Sequence, residues 1–176
     1  MLSHKAMAIP VFDTGQDTKF LIVHDKRHRE WTFVTGGCKA HEVFNPIKCA
    51  VRELEEETRG TLSLRSGRYN YFRFSTNFDP IETSVYHVYV FHVHVNQERL
   101  DELVKKFDVE KEKMDSNKVA FRKNYDENDS MKFMKLEEIR NCPTLWRFVL
   151  ENVLQNQDFY RALDADNVRN FTLSHI

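Results

Sequence analysis

The segment best equipped for chemistry runs from Gly36 to Glu57. It opens Gly36-Gly37-Cys38-Lys39-Ala40-His41-Glu42 and closes Arg52-Glu53-Leu54-Glu55-Glu56-Glu57. Glu53 and Glu57 stand four apart, so on a helix they share one face, with Glu56 on its flank. Carboxylates gathered without matched lysines repel by about 0.2–0.5 kcal/mol per helical pair. Arg52, four residues before Glu56, relieves only part of this. An acidic helix face is ordinarily a solvated one. The glycine pair upstream shifts the balance, because backbone amides there can approach and cradle a phosphate. All-oxygen side chains suit Mg²⁺ or Mn²⁺. A phosphate beside a divalent cation is the usual setting for phosphoryl or pyrophosphoryl chemistry.

These residues need elements to hold them. Segments 5–12 and 19–24 read as strands joined by a hairpin loop around Gly15, and a charged loop spans 25–29. Residues 30–35 read as a third strand, stopped by Gly36-Gly37. A helix follows, with Asn45 as N-cap, Pro46 at the first helical position and Gly60 as left-handed cap. Ile47, Ala50, Val51, Leu54 and Thr58 form its buried stripe. Strands are expected at 69–75 and 83–95. The second is apolar on both faces and so central. Residues 98–107 read as a short helix, 108–130 as polar loop and 131–136 as a last strand. A helical turn is expected at 137–140, and an amphipathic helix at 144–155 with 158–163 as its extension. The order indicates an α+β domain, taken as one unit over 1–176.

Composition narrows the function classes. The chain has 176 residues, with 26 Lys+Arg against 27 Asp+Glu, which argues against nucleic-acid binding by bulk charge. No apolar run approaches the roughly 18 residues of a membrane span, and the start lacks a signal-peptide pattern. An intracellular, cytoplasmic protein without a membrane partner is expected. Cys38, Cys49 and Cys142 form no Cys-x-x-Cys pair and are expected to be free thiols.

The segment 36–60 resembles the box of the Nudix hydrolase family, Gly-x5-Glu-x7-Arg-Glu-U-x-Glu-Glu-x-Gly-U, where U is aliphatic. Gly36-x5-Glu42 matches its opening, and Arg52-Glu53-Leu54-x-Glu56-Glu57-Thr58 matches its second half. Trp31 stands where the family often carries an aromatic residue. Two departures are visible. Nine residues separate Glu42 from Arg52 where the family has seven, and Arg59 replaces the family's glycine, with Gly60 one place later. The second is expected to reflect a helix one residue longer.

The resemblance implies a Nudix fold, with a mixed β-sheet sandwiched between helices, and a metal-dependent pyrophosphohydrolase. It implies Mg²⁺ or Mn²⁺ on Glu53, Glu56 and Glu57, catalysis by Glu56 and Glu57, and structural support from Arg52 and Glu42. Gly36, Gly37, Lys39 and Arg27 are the candidate phosphate contacts. A further catalytic carboxylate from a loop before the last strand would be Glu127, with Glu98 as runner-up. The wording around Val34-Thr35-Gly36-Gly37-Cys38 is most similar to Nudix proteins of large DNA viruses. That makes capped RNA, cleaved to release m7GDP, the first expected substrate. A nucleoside diphosphate derivative such as ADP-ribose comes second and a diphosphoinositol phosphate third. A non-catalytic module that binds RNA or a nucleotide is the alternative of another class. Either a monomer or a homodimer is compatible.

Other features have plainer readings. His92 and His94 share a strand face but are expected as core or half-buried histidines. Lys26, Arg27, His28 and Arg29 form a compact basic run, either a solvated tip or a phosphate-binding lip. A second stretch, from Lys105 to Lys123, interleaves acids with its lysines. Alternation sends Tyr69 and Tyr71 to one strand face, Phe72 and Phe74 to the other, and one of these faces could stack a nucleobase.

Overall fold

The computed structural model describes residues 2–77, 81–116 and 123–174. Strand β1 (Leu2–Asp13) carries a core face on each side and organises the sheet. It runs parallel to β6 (Thr83–His94) along its whole length. β6 in turn pairs antiparallel with β5 (Ser66–Asn77), and β5 with the short edge strand β8 (Arg169–Thr172). As its two-faced apolar pattern predicts, β6 is central.

The other edge of β1 is shared. Its end, Val11–Asp13, pairs with β2 (Thr18–Asp25), and its beginning, Lys5–Ala8, pairs with β4 (Val34–Gly37). β3 (Glu30–Thr32) pairs with the far half of β2, which also carries β7 (Asn128–Met134) on its outer edge. The single strand expected at 30–35 is therefore two. β1 and β2 diverge, and the chain crosses the fork from one to the other at Phe33, which is fully buried.

Helices cover both faces. α1 (Pro46–Glu57) and α2 (Gln97–Ser116) close one core, built on Ala6, Ala8, Val23, Leu54, Leu103 and Phe107. The opposite core, built on Met7, Ile9, Phe33, Val88, Phe148 and Phe159, is closed by the C-terminal segments. Those are α3 (Leu136–Arg140), α4 (Arg147–Val149), a π-helical turn (Leu150–Leu154) and α5 (Gln157–Ala162). The fold is α+β, a mixed sheet between helices.

Several elements differ from the sequence reading. α2 extends to Ser116, because Leu100, Leu103, Phe107 and Met114 keep one buried stripe through the polar stretch. The rest of the expected 108–130 loop includes 117–122, which lie outside the described residues. β7 begins three residues before Met131, at Asn128. The C-terminal helix is not continuous: the π-helical turn interrupts it, and Asn156 caps a separate α5 by accepting from the Asp158 amide at 2.9 Å. β8 has no counterpart in the sequence reading.

Phe33 plugs the fork between β1 and β2, so truncating it removes a ring that the diverging strands cannot collapse to replace. Phe33→Ala should lower unfolding free energy by about 3–5 kcal/mol. Urea denaturation checks this, and a loss below about 1 kcal/mol would show that the fork closes without the ring.

Candidate active site

α1 starts as the sequence suggests. Asn45 occupies the N-cap and Pro46 the first turn, although the Asn45 side chain makes no capping bond. The stripe Ile47, Ala50, Val51, Leu54 and Thr58 is buried. So is the acidic face: Glu53, Glu56 and Glu57 keep only 8%, 8% and 6% of their surface exposed. This corrects the idea of a solvated acidic face. The β4 strand and the segment before β7 cover it.

Gly36 explains part of that covering. A Cβ on this residue would overlap the Glu53 carboxylate, so any other residue here would turn that carboxylate away from β4. Gly37 has open space around it and is not sterically required.

Arg52 is the hub of the carboxylates. Its Nε and Nη2 donate to the two oxygens of Glu42 at 2.8 Å each. Nη1 reaches Glu53 Oε1 at 3.0 Å and Glu56 Oε2 at 3.1 Å, and Nη2 also donates to the Gly37 carbonyl at 3.0 Å. Glu42, despite the longer spacing before Arg52, is buried here and also accepts from the Lys39 amide at 2.8 Å. Burial opposes its ionisation, but these donors outweigh burial and hold its pKa below the usual carboxylate range.

Glu53, Glu57 and Glu127 are less fully compensated. Burial first, and then the Glu53 charge, push the Glu57 carboxyl well above its usual pKa. Its Oε1 accepts from Asn128 Nδ2 at 3.3 Å, and its Oε2 is buried with no partner among the described residues. Burial also raises Glu53, with Arg52 opposing and Glu56 adding to the rise. Glu127 is raised by burial, then by Glu56 and Asp25. An orphaned carboxylate oxygen amid weakened acids is a donor set that suits a hard divalent cation. Among the described residues no three such side chains already converge on one point, so the carboxylates must turn to share an ion.

A cleft of about 340 Å³ opens beside this face. Gly36, Gly37, Glu57 and Glu127 line one side, and Lys5, Tyr86 and Trp146 another, with Asp25, His28 and Glu30 also in its wall. Its wall includes Thr32, Phe33 and Thr35 from the strands that cross the fork. Glu127 thus shares the cleft with Glu57, whereas Glu98 is exposed on the first turn of α2 and lines neither this cleft nor the next. Arg27 does not enter the cleft. Its side chain is exposed, on a turn closed by Asp25, whose Oδ1 accepts from the Arg27 and His28 amides at 2.8 Å. A second cleft on the Glu56 side is lined by Lys39, His41, Lys48, Arg52 and Arg65. Lys39 therefore lines a different cleft from the glycine pair.

The family is now decided by comparison. The NUDIX domain matches residues 2–155. The chain belongs to the Nudix family. As a Nudix hydrolase it acts on phosphorus-containing anhydrides. Among solved structures it is similar to the NUDIX domain of Shewanella oneidensis NrtR in complex with ADP ribose. Identity there is 15% and the TM-score 0.58, covering 90% of this chain and 88% of that one. Of the whole NrtR chain it spans 61%. It is also similar to the Nudix hydrolase RenU from M. smegmatis (11% identity, TM-score 0.63, 95% and 91% covered). A NUDIX-family hydrolase from Clostridium perfringens is similar as well (14%, 0.53, 93% and 97%). At these identities the structures speak for the Nudix fold. No curated protein matches.

Sequence reasoning missed Asn128, Trp146 and the part played by Arg59. The departure at Arg59 does not lengthen the helix. α1 ends at Glu57, and Arg59 itself adopts the left-handed conformation, with φ 55°, as does Gly60 at φ 75°. The Arg59 amide donates to the Glu56 carbonyl at 3.2 Å and the Gly60 amide to that of Glu55 at 2.7 Å, the bonds of a Schellman cap. Forcing a non-glycine residue into this conformation costs about 1–2 kcal/mol. The paired histidines do not form a site: His92 is half-buried against Asn70 and the Ala162 carbonyl, while His94 is exposed beside Asp13. The three cysteines are free.

Raised carboxyls set the pH response. A native acid with raised pKa still holds a proton that the unfolded chain released near pH 4.5. In the metal-free protein Glu53 and Glu57 therefore subtract stability as pH climbs from that value through their raised ones. A cation needs them ionised and relieves the repulsion. Mg²⁺ or Mn²⁺ should raise the melting temperature more at pH 8 than at pH 5 by calorimetry. Equal increments would rule these carboxylates out as its ligands.

Proposed function

We propose that this Nudix hydrolase cleaves the diphosphate bond of a nucleoside diphosphate derivative. One observation carries the reading: the cleft that holds Glu57, Glu127 and the glycine pair also holds the Trp146 indole. The volume suits a nucleoside-sized ligand, since such pockets usually run to about 300–1,000 Å³. Trp146 is half-buried and stacked on Phe148, with centroids 4.5 Å apart, so its ring is held for a planar partner. The ADP ribose bound to the NrtR domain supports the same substrate class.

The residues divide the work as follows. Glu53, Glu56 and Glu57 are placed to hold Mg²⁺ or Mn²⁺, which would polarise the diphosphate and acidify an attacking water. The Gly37 amide, which points away from β1, can face a phosphate oxygen, whereas that of Gly36 is used in the ladder with Ala6. Glu127, whose carboxylate is made more basic by partial desolvation and by the Glu56 and Asp25 charges, is placed to take the proton from that water. Arg52 and Glu42 hold the carboxylates in place, and Lys5 supplies positive charge at the cleft wall.

A second reading, capped RNA with release of m7GDP, is favoured by the lysines of the cleft on the Glu56 side, where Glu42, Glu55 and Glu56 pair with its arginines. Lys39, His41, Lys48 and Arg65 there could accompany a phosphate chain leaving the reacting centre. The test is one panel with Mg²⁺ and with Mn²⁺: ADP-ribose, capped RNA, free cap dinucleotide and a diphosphoinositol phosphate. ADP-ribose or a similar small derivative should turn over best. Capped RNA cleaved far faster than both ADP-ribose and free cap would replace this reading with decapping.

Two variants probe the assignment. Glu57→Gln should lower kcat by at least about 100-fold on the best substrate. Unchanged phosphate-bond cleavage would leave only a binding module. Trp146→Ala should raise KM by about 5–100-fold with kcat little altered, the measure of one lost base stack. An unchanged KM would remove the indole from the recognition surface.

A further inference from the structure

Arg59 stands where the Nudix box has glycine, and its side chain is fully buried. A residue placed there at a conformational cost, with a charge drawn out of water, needs compensation elsewhere in the fold. Its Nη2 donates to the Asn128 carbonyl at 2.5 Å and to Asp126 Oδ1 at 3.1 Å. The guanidinium lies 4.9 Å from the centre of the Phe107 ring on α2. Its Nε and Nη1 are buried with no hydrogen-bond partner among the described residues. Arg59 thus reaches across nearly 70 positions of sequence to the segment before β7.

The two residues it grips flank Glu127. The same short segment is fastened at other points too. The Lys26 amide donates to the Glu127 carbonyl at 3.0 Å, and Lys26 Nζ pairs with Asp126 at 3.0 Å. Asn128 then returns the contact to α1, with Nδ2 donating to the Glu57 carbonyl at 3.1 Å and to Glu57 Oε1. Of these fasteners Arg59 alone is a buried charge. A glycine at this position would cap α1 equally well and could not touch the segment at all.

We propose that Arg59 is a positioning residue, whose guanidinium grips Asp126 and the Asn128 carbonyl so that Glu127 is held in the cleft against the carboxylate face of α1. The family's glycine leaves this task to other contacts, while this chain ties the end of its box helix directly to its candidate proton acceptor. Arg59 touches no substrate. It acts through the backbone on either side of Glu127. The inference rests on the reading of the cleft as a hydrolytic site with Glu127 in it.

The test compares Arg59→Gly, Glu127→Gln and the double variant. Glycine suits the left-handed backbone, so Arg59→Gly removes the clamp without adding strain, and circular dichroism checks that it is folded. Arg59→Gly should lower kcat by roughly 10–100-fold while KM moves by less than about 3-fold. In the Glu127→Gln background the same change should cost less than about 2-fold, because the group it positions is already lost. Hydrogen exchange of the metal-free protein gives a readout free of turnover. Amides from 124 to 129 should exchange faster in Arg59→Gly, with those of β1 and β6 unchanged.

Full activity in Arg59→Gly overturns the proposal, as does a loss that simply multiplies with that of Glu127→Gln. Unchanged exchange at 124–129 overturns it as well. Wild-type protein that cleaves no diphosphate substrate would instead defeat the hydrolytic reading, and the exchange measurement would still decide whether Arg59 holds the segment.

Discussion

Arg52 meets more buried carboxylate than one guanidinium can neutralise. Glu42 takes its Nε and Nη2 in a paired geometry, and Glu53 and Glu56 share what Nη1 offers. Glu57 lies beyond its reach, with one oxygen orphaned among the described residues. A buried anion without a partner is among the most expensive features a fold can carry. The protein meets part of that cost by holding Glu53 and Glu57 toward their protonated forms, so the site is poised to exchange protons for a cation. The glycine at 36 belongs to the same constraint. Packing β4 against the Glu53 carboxylate excludes water and keeps the charge dense, and no side chain at 36 leaves room for that contact.

The fork in the sheet turns this charged face into a site that can hold a molecule. If β1 and β2 stayed paired along their length, β4 could not take the edge of β1, and Gly36 would not lie over α1. Because they diverge, the chain crosses at Phe33, and Thr32, Phe33 and Thr35 become cleft wall. The hydrophobic plug and the polar wall are consecutive residues. Core packing and site geometry are therefore set together, and a change in one will be felt in the other.

Much of the box could be read in the sequence, because a helical repeat of carboxylates and a strand ending in glycines are local patterns. The stripe from Ile47 to Thr58 and the central place of β6 followed from periodicity alone. What escaped were features set by partners far along the chain. The burial of Glu53, Glu56 and Glu57 depends on β4 and on the segment at 124–128, neither of which a helical wheel shows. The strand around residue 33 looks continuous, and only the competition of β1 and β2 for it breaks it in two. α2 hid in a run of charges because its buried stripe needs just Leu100, Leu103, Phe107 and Met114. β8 has four residues and one partner, too little to leave a pattern. Arg59 was visible as a departure, yet its meaning lay in Asp126 and Asn128. Arg27 shows the reverse case, a basic residue next to the right loop in sequence but exposed outside the cleft in space.

The box and the recognition surface are joined through one short strand. Trp31, in β3, accepts from the Trp146 amide at 2.8 Å through its carbonyl and donates to the Thr144 carbonyl at 2.9 Å. Leu145 pairs beside it as an isolated parallel bridge. The indole of Trp146 is thereby fixed relative to the strand that leads, through Phe33 and β4, to Gly36 over Glu53. Its distance from Gly36 and Gly37 is set by a few residues of extended chain rather than by a loose loop. A ligand spanning the two must match that length. Under the proposed function, the C-terminal segment, outside the box altogether, would limit which diphosphates can lie with one end on the indole and the other at the carboxylates. Under that proposal reaction type and substrate choice have separate origins in the sequence: the first in a helical repeat of glutamates, the second in the pairing of Trp31 with residues more than a hundred positions away.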